Sequence, residues 1–96
     1  MSPKNKKKLS IIRIKLDKVD NKLLLLIKYR TNLVKEVLKL KKYKNEIVDI
    51  KRINFILNKI KFKSKKLKID PKITNRIWKN MIWSFIDYER RNFKKK

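Results

Sequence analysis

One arginine interrupts an otherwise apolar stripe in the first half of the chain. The stripe alternates steps of three and four residues, which is the spacing of one face of a long helix. Its members are Leu9, Ile12, Leu16, Val19, Leu23, Leu26, Arg30, Leu33, Val37 and Leu40. The residues one turn from Arg30 are all apolar, so its own helix offers no carboxylate. Because a buried guanidinium without a partner is costly, Arg30 predicts an anion from another helix or from a ligand.

A second cation follows Arg30 at helical spacing. Lys41 comes eleven residues later, which in a continuous helix is close to three turns, or about 16 Å along one face. Arg30 and Lys41 would then form a two-point cationic clamp that suits a small dicarboxylate. The alternative for Lys41 is a long side chain that carries its charge out to water.

Four further charged residues are candidates for the same site. Arg13 can pair with Asp17 on its own helix or, across a dimer axis, reach a partner subunit's pocket. Asp49 and Arg52 stand three apart at the start of a second helix, where a cap and a local salt bridge are the alternative. Glu89 continues an apolar stripe, which at that point can also simply be reaching water.

The elements that position these residues are all helical. The sequence predicts a disordered basic arm over residues 1–8 and one helical domain over residues 9–93. The first helix runs from about Lys8 to Lys44, without Pro or Gly, and the second from about Ile50 to Ser64. Asp70-Pro71 begins a third, which ends near Phe93. No alternating strand pattern is present, so the predicted fold class is all-α.

The length of the first helix predicts a dimer. It should extend about 55 Å, whereas a globule of this size has a radius of gyration of only about 12 Å. One subunit cannot bury both ends of such a seam. We therefore expect an intertwined helical homodimer in which the long helices pack on each other.

Composition excludes several classes of chemistry. The chain has no Cys and no His, so disulfides, a zinc site and histidine acid–base catalysis are not expected. No apolar run approaches membrane-spanning length, and a cytoplasmic protein without a metal or cofactor follows by default. The net charge of +23 suits a nucleic-acid partner. However, the chain has 25 Lys, 14 Ile and no Ala, so AT-rich codons explain much of the lysine, and nucleic acid is not the expected partner.

The order and spacing of these residues resemble the all-helical, type II chorismate mutases over nearly the whole chain. Three segments carry the resemblance: IIRIKLDKVDNKLLLLIKYRTNLVKEVLKLK, IVDIKRINFIL and IDPKITNRIWKNMIWSFIDYE. The most specific part is a run of spaced residues: Arg13, six intervening residues, Asp20, paired Leu, Arg30, ten intervening residues and Lys41. The resemblance implies conversion of chorismate to prephenate in a homodimer.

The resemblance also implies roles for individual residues. Arg13 would be donated by the other subunit, Arg30 and Lys41 would be the main cations of the pocket, and Asp49 and Arg52 would lie at its edge. Lys41 and Glu89 would be the catalytic residues. In the family, the position of Glu89 is often Gln and sometimes Glu. Two positions depart from the family: Ile53 stands where a Glu is common, and Phe85 where a Ser is common.

Catalysis of this kind needs neither a nucleophile nor a general base. It requires a compact substrate conformer and stabilisation of charge on the breaking C–O bond. Glu89 could donate to the ether oxygen only when protonated, a form that its apolar stripe favours and the surrounding cations oppose. Three alternatives stay open: an isochorismate pyruvate lyase on the same fold, a basic helical nucleic-acid-binding protein, and a catalytically inactive regulatory member.

Overall fold

The computed structural model describes residues 1–95 and is all-helical, as predicted. Its elements are α1 (Pro3–Leu40), a 3-10 turn (Lys44–Glu46), α2 (Ile50–Lys66) and α3 (Pro71–Asn92). No strand occurs among residues 1–95. The chain divides into two compact units, an N-terminal unit (Met1–Leu33) and a C-terminal unit from Val34 onward.

The beginning of α1 corrects the predicted disordered arm. The helix begins at Pro3, so residues 3–8 are helical. Ser2 acts as the cap, because its hydroxyl accepts from the Asn5 N–H at 3.2 Å, and proline is favoured in the first helical position. The local cap therefore outweighs the repulsion among neighbouring lysines.

The N-terminal unit has no core of its own. It consists of the first two residues and the part of α1 up to Leu33. No residue of α1 is buried. Apolar side chains on the seam are between 49% and 64% exposed: Ile12, Leu16, Val19, Leu23 and Leu26. The apolar seam predicted from the sequence is therefore exposed in the single chain.

The end of α1 also differs from the prediction. The helix ends at Leu40, four residues before the expected end at Lys44. The Glu46 carboxylate accepts from the backbone N–H groups of Lys42 and Tyr43, at 2.7 and 3.1 Å. These bonds replace the helical ones that the same N–H groups would otherwise make, so the chain turns here.

Helices α2 and α3 begin where their caps predict. Asp49 accepts from the Arg52 N–H at 3.0 Å, and Asp70 accepts from the Lys72 N–H at 2.9 Å. Helix α2 ends in a Schellman motif, since the Ile69 N–H bonds to the Ser64 carbonyl and the Lys68 N–H to that of Lys65. Lys68 takes the left-handed position with φ 58°.

The core lies between α2 and α3 in the C-terminal unit. It consists of Ile47, Ile53, Ile82 and Ile86. A buried hydrogen bond between the hydroxyls of Ser64 and Thr74, at 2.7 Å, joins the end of α2 to the beginning of α3. This packing holds α3, and with it Glu89, in a defined place. None of the helices in residues 1–95 combines the length and apolar character needed to cross a bilayer.

Candidate functional site

The structure brings two of the predicted site residues into direct contact. The Lys41 ammonium donates to Oε1 of Glu89 at 2.8 Å. Lys41 follows the last residue of α1, and Glu89 lies near the end of α3, one turn beyond the core residue Ile86. The turn after α1 and the packed face of α3 together therefore position the pair.

The pair is largely withdrawn from water. Glu89 is only 6% exposed, and the Lys41 side chain is 17% exposed. Burying either charge alone would cost more than the pair does, because each neutralises the other. Glu89 is therefore part of the buried face of α3, and the alternative of an acid at the point where the stripe reaches water is wrong.

The end of α1 removes one geometric argument about Lys41. Its N–H bonds to the Leu38 carbonyl at 3.2 Å, which is the three-residue spacing of a tightened helix end. Helical phase therefore stops one residue before Lys41. The common face predicted for Arg30 and Lys41 assumed a helix that continues to Lys44, whereas α1 ends at Leu40.

Asp49 and Arg52 meet through the backbone. The Asp49 carboxylate accepts from the Arg52 N–H, which is the cap of the alternative interpretation. The salt bridge of that interpretation does not form among residues 1–95. The Arg52 guanidinium is exposed and lies 5.3 Å from the centre of the Phe55 ring. Asp49 is also exposed, so both side chains are accessible to a ligand.

Arg13 and Arg30 both lie on α1 in the N-terminal unit. Arg13 is exposed. Arg30 is partly buried and interacts with another group of the chain.

The two departures from the family pattern have different surroundings. Ile53 is buried in the core cluster with Ile47, Ile82 and Ile86, so an isoleucine here strengthens the packing between α2 and α3. Phe85 is partly buried on α3, one turn before Glu89.

An open cavity of about 390 Å³ lies in the C-terminal unit. Its lining comes from residues shortly after Lys41 and shortly after Glu89 in the sequence. Its described lining is Lys42, Tyr43, Lys44, Phe93 and Lys95. None of the predicted site residues belongs to this lining, and the sequence did not single it out. The only signal for it is that Lys42 follows Lys41 and that Phe93 is one helical turn after Glu89.

The fold and the buried pair define an all-helical protein with a charged site set against an apolar core. A comparison with protein-family models identifies that class more closely: the model of chorismate mutase type II matches residues 12–90. The chain belongs to the type II chorismate mutase family. Searches of curated proteins and of solved structures found no significant match.

Proposed function

We propose that this chain is a homodimeric chorismate mutase, which converts chorismate to prephenate in the cytoplasm without a cofactor. The buried Lys41–Glu89 contact is the observation that carries the proposal. The family match covers both residues, which lie 48 positions apart and form a charged pair at a packed helix end. The pair gives the site a hydrogen-bond donor in surroundings that exclude water.

The reaction is an intramolecular rearrangement, so the site needs no nucleophile. It must hold the substrate in a compact conformer and stabilise negative charge on the ether oxygen as the C–O bond breaks. The Lys41 ammonium is a donor of the required kind. Because low exposure reduces competition from water, its hydrogen bond to a developing charge is stronger than on a free surface.

Glu89 has two possible roles that depend on its proton. As a carboxylate it accepts from Lys41 and fixes the position of that ammonium. When protonated it would donate to the ether oxygen, and it would then give up the charged contact with Lys41. We propose the second role for the substrate complex, since a carboxylate facing a dianionic substrate repels it.

The remaining substrate-binding roles follow from the family resemblance. Arg30 would hold a substrate carboxylate with its planar fork, and Arg13 would be supplied by the partner subunit. Asp49 and Arg52 would contact the substrate from the start of α2, where both side chains are exposed. These assignments are proposals that mutation can test residue by residue.

The exposed seam of α1 supports the homodimer. Its apolar residues recur at the spacing that packs one helix against another. A second copy presents the same stripe, so a symmetric pair would cover both seams at once. The dimer would also bring the Arg13 of one chain to the pocket of its partner.

Purified protein incubated separately with chorismate and with isochorismate tests the proposed function. We expect prephenate from chorismate, and little salicylate or pyruvate from isochorismate. Lys41→Ala is the matched variant, because it removes the proposed donor. Since it also leaves Glu89 buried without its cation, circular dichroism must show that the variant is still folded. Salicylate as the main product would mean that the protein is an isochorismate pyruvate lyase and not a mutase. No product from either substrate would favour a catalytically inactive member.

A further inference from the structure

The face of α2 opposite the core carries a regular stripe of cations and aromatic rings. Its members are Arg52, Phe55, Lys59, Phe62 and Lys66, spaced three and four residues apart. Phe55 and Phe62 are 54% and 60% exposed. The core residues of the helix, Ile53 and Ser64, lie on the other side, so the stripe is not needed for the packing of α2 on α3.

Each phenylalanine ring on this stripe has a cation over it. The Arg52 guanidinium and the Lys59 ammonium lie 5.3 and 5.7 Å from the centre of the Phe55 ring. The Lys66 ammonium lies 4.7 Å from the centre of the Phe62 ring. The stripe therefore presents two similar groups, each a phenylalanine ring with a cation within 6 Å of its centre.

Charge on α2 is of one sign only. The helix contains no Asp or Glu and has seven cations: Lys51, Arg52, Lys59, Lys61, Lys63, Lys65 and Lys66. On α3, by contrast, Asp87 pairs with Arg91 at 3.0 Å. A helix with unopposed positive charge favours a polyanion as its partner.

We propose that this face of α2 binds single-stranded nucleic acid, with bases stacked on Phe55 and Phe62 and phosphates held by the neighbouring cations. A nucleotide joins a flat base to a phosphate, which matches the pairing of ring and cation on the stripe. The codon argument explains how many lysines the chain has. It does not account for their alternation with two exposed rings on one face of one helix.

An anionic membrane is the main competing partner for a basic helix. Helices that lie in a membrane surface bury a continuous apolar face and keep their cations at its edges. Here Lys59 separates the two rings, and burying both would carry its ammonium into the lipid. A duplex also fits less well, because its bases are stacked on each other and are not available to the rings.

Fluorescence anisotropy with a labelled oligouridylate or oligothymidylate tests the proposal on the full chain at physiological salt. The variant Phe55→Leu/Phe62→Leu keeps every charge, and it should weaken binding by about tenfold or more. Phe55→Tyr/Phe62→Tyr keeps both rings and should bind like wild type. Trp83→Leu removes an exposed ring from α3 and is the matched control, with no expected effect.

A second pair of variants separates placement from total charge. Lys59→Gln/Lys66→Gln and Lys6→Gln/Lys7→Gln each remove two charges, and the first should weaken binding far more. Equal weakening by the two lysine pairs would contradict the proposed binding face, and so would unchanged binding in the leucine variant. Either result would mean that binding depends on total charge alone. Equally tight binding of a duplex would do the same, and ring-dependent binding to phosphatidylserine vesicles but not to oligonucleotides would replace nucleic acid by a membrane.

Discussion

The two units of the chain differ in how they are stabilised. The C-terminal unit buries four isoleucines between α2 and α3 and pairs its buried polar groups, Ser64 with Thr74 and Lys41 with Glu89. The N-terminal unit buries nothing, and its apolar seam is about half exposed. The C-terminal unit therefore contains its own core, whereas the N-terminal unit would bury its seam only in the proposed homodimer.

The same difference separates the proposed functional residues. Lys41 and Glu89 are held in place by packing within the C-terminal unit, so their geometry is a property of one chain. Arg13 and Arg30 lie on the helix that lacks a core. If the proposed homodimer forms the site from both groups of residues, activity should depend on assembly.

The largest expected effect comes from a charge placed in the seam. Val19→Asp should prevent dimer formation, because two carboxylates would be buried across the helix pair. We expect light scattering to show a monomer and the mutase activity to fall by about a hundredfold or more. Asn21→Asp adds the same charge off the seam and should have no effect. If Val19→Asp is still a dimer with normal activity, the seam of α1 is not the dimer interface.

Truncation in the core should mainly affect stability. Ile86→Ala removes a buried side chain that is 5% exposed, and it should lower the free energy of unfolding by about 2–4 kcal/mol. Ile14→Ala, at a 56% exposed position off the seam of α1, should cost less than about 0.5 kcal/mol. Urea unfolding followed by circular dichroism measures both. Equal losses would mean that the two units do not differ as described.

Replacement of Glu89 tests the proposed protonated donor. If a protonated Glu89 donates to the substrate, wild-type activity should be lost wherever the group is a carboxylate, because a carboxylate cannot donate. Glu89→Gln keeps an oxygen for Lys41 and supplies a permanent N–H donor, so it should flatten that loss and maintain activity near neutral pH. The measurement is kcat/KM against pH for both proteins. Superimposable profiles would assign Glu89 a role that does not involve its proton.

The smallest effect concerns the turn between α2 and α3. Lys68 occupies a left-handed conformation that glycine adopts without strain. Lys68→Gly should therefore stabilise the C-terminal unit by about 1 kcal/mol and leave activity unchanged. Thermal unfolding measures this, and Lys65→Gly, inside α2, is the matched control, which should destabilise by about as much. A loss of stability in Lys68→Gly would show that the lysine side chain is needed at the turn.

Local signals predicted α2 and α3 well. Asp49 and Asp70-Pro71 cap their helices as expected, because capping depends on a few adjacent residues. The cap formed by Ser2 and Pro3 is a signal of the same kind, and the lysines that follow concealed it. The early end of α1 depends on Glu46, whose bonds to two N–H groups compete with the helix and leave no periodic trace in the sequence.

The contact between Lys41 and Glu89 could not be derived from spacing. The residues are far apart in the chain, and their distance depends on how α3 packs on α2 and on the turn after Leu40. The sequence predicted each residue separately, Lys41 as a cation and Glu89 as an acid on an apolar stripe. Their pairing is a property of tertiary packing. The stripe of cations and rings on α2 is a local pattern, and packing decides only that it lies on the outer face.

Mixing two inactive variants is the most direct test of a mutase site shared between two chains. Arg13→Ala and Arg30→Ala chains should each be inactive alone. In a mixed dimer, one pocket carries both defects and the other carries neither. After complete exchange of equal amounts, half of the dimers are mixed, so about a quarter of wild-type mutase activity should return. If mass spectrometry shows that mixed dimers have formed and no activity returns, Arg13 does not act in the partner's site and the account is wrong.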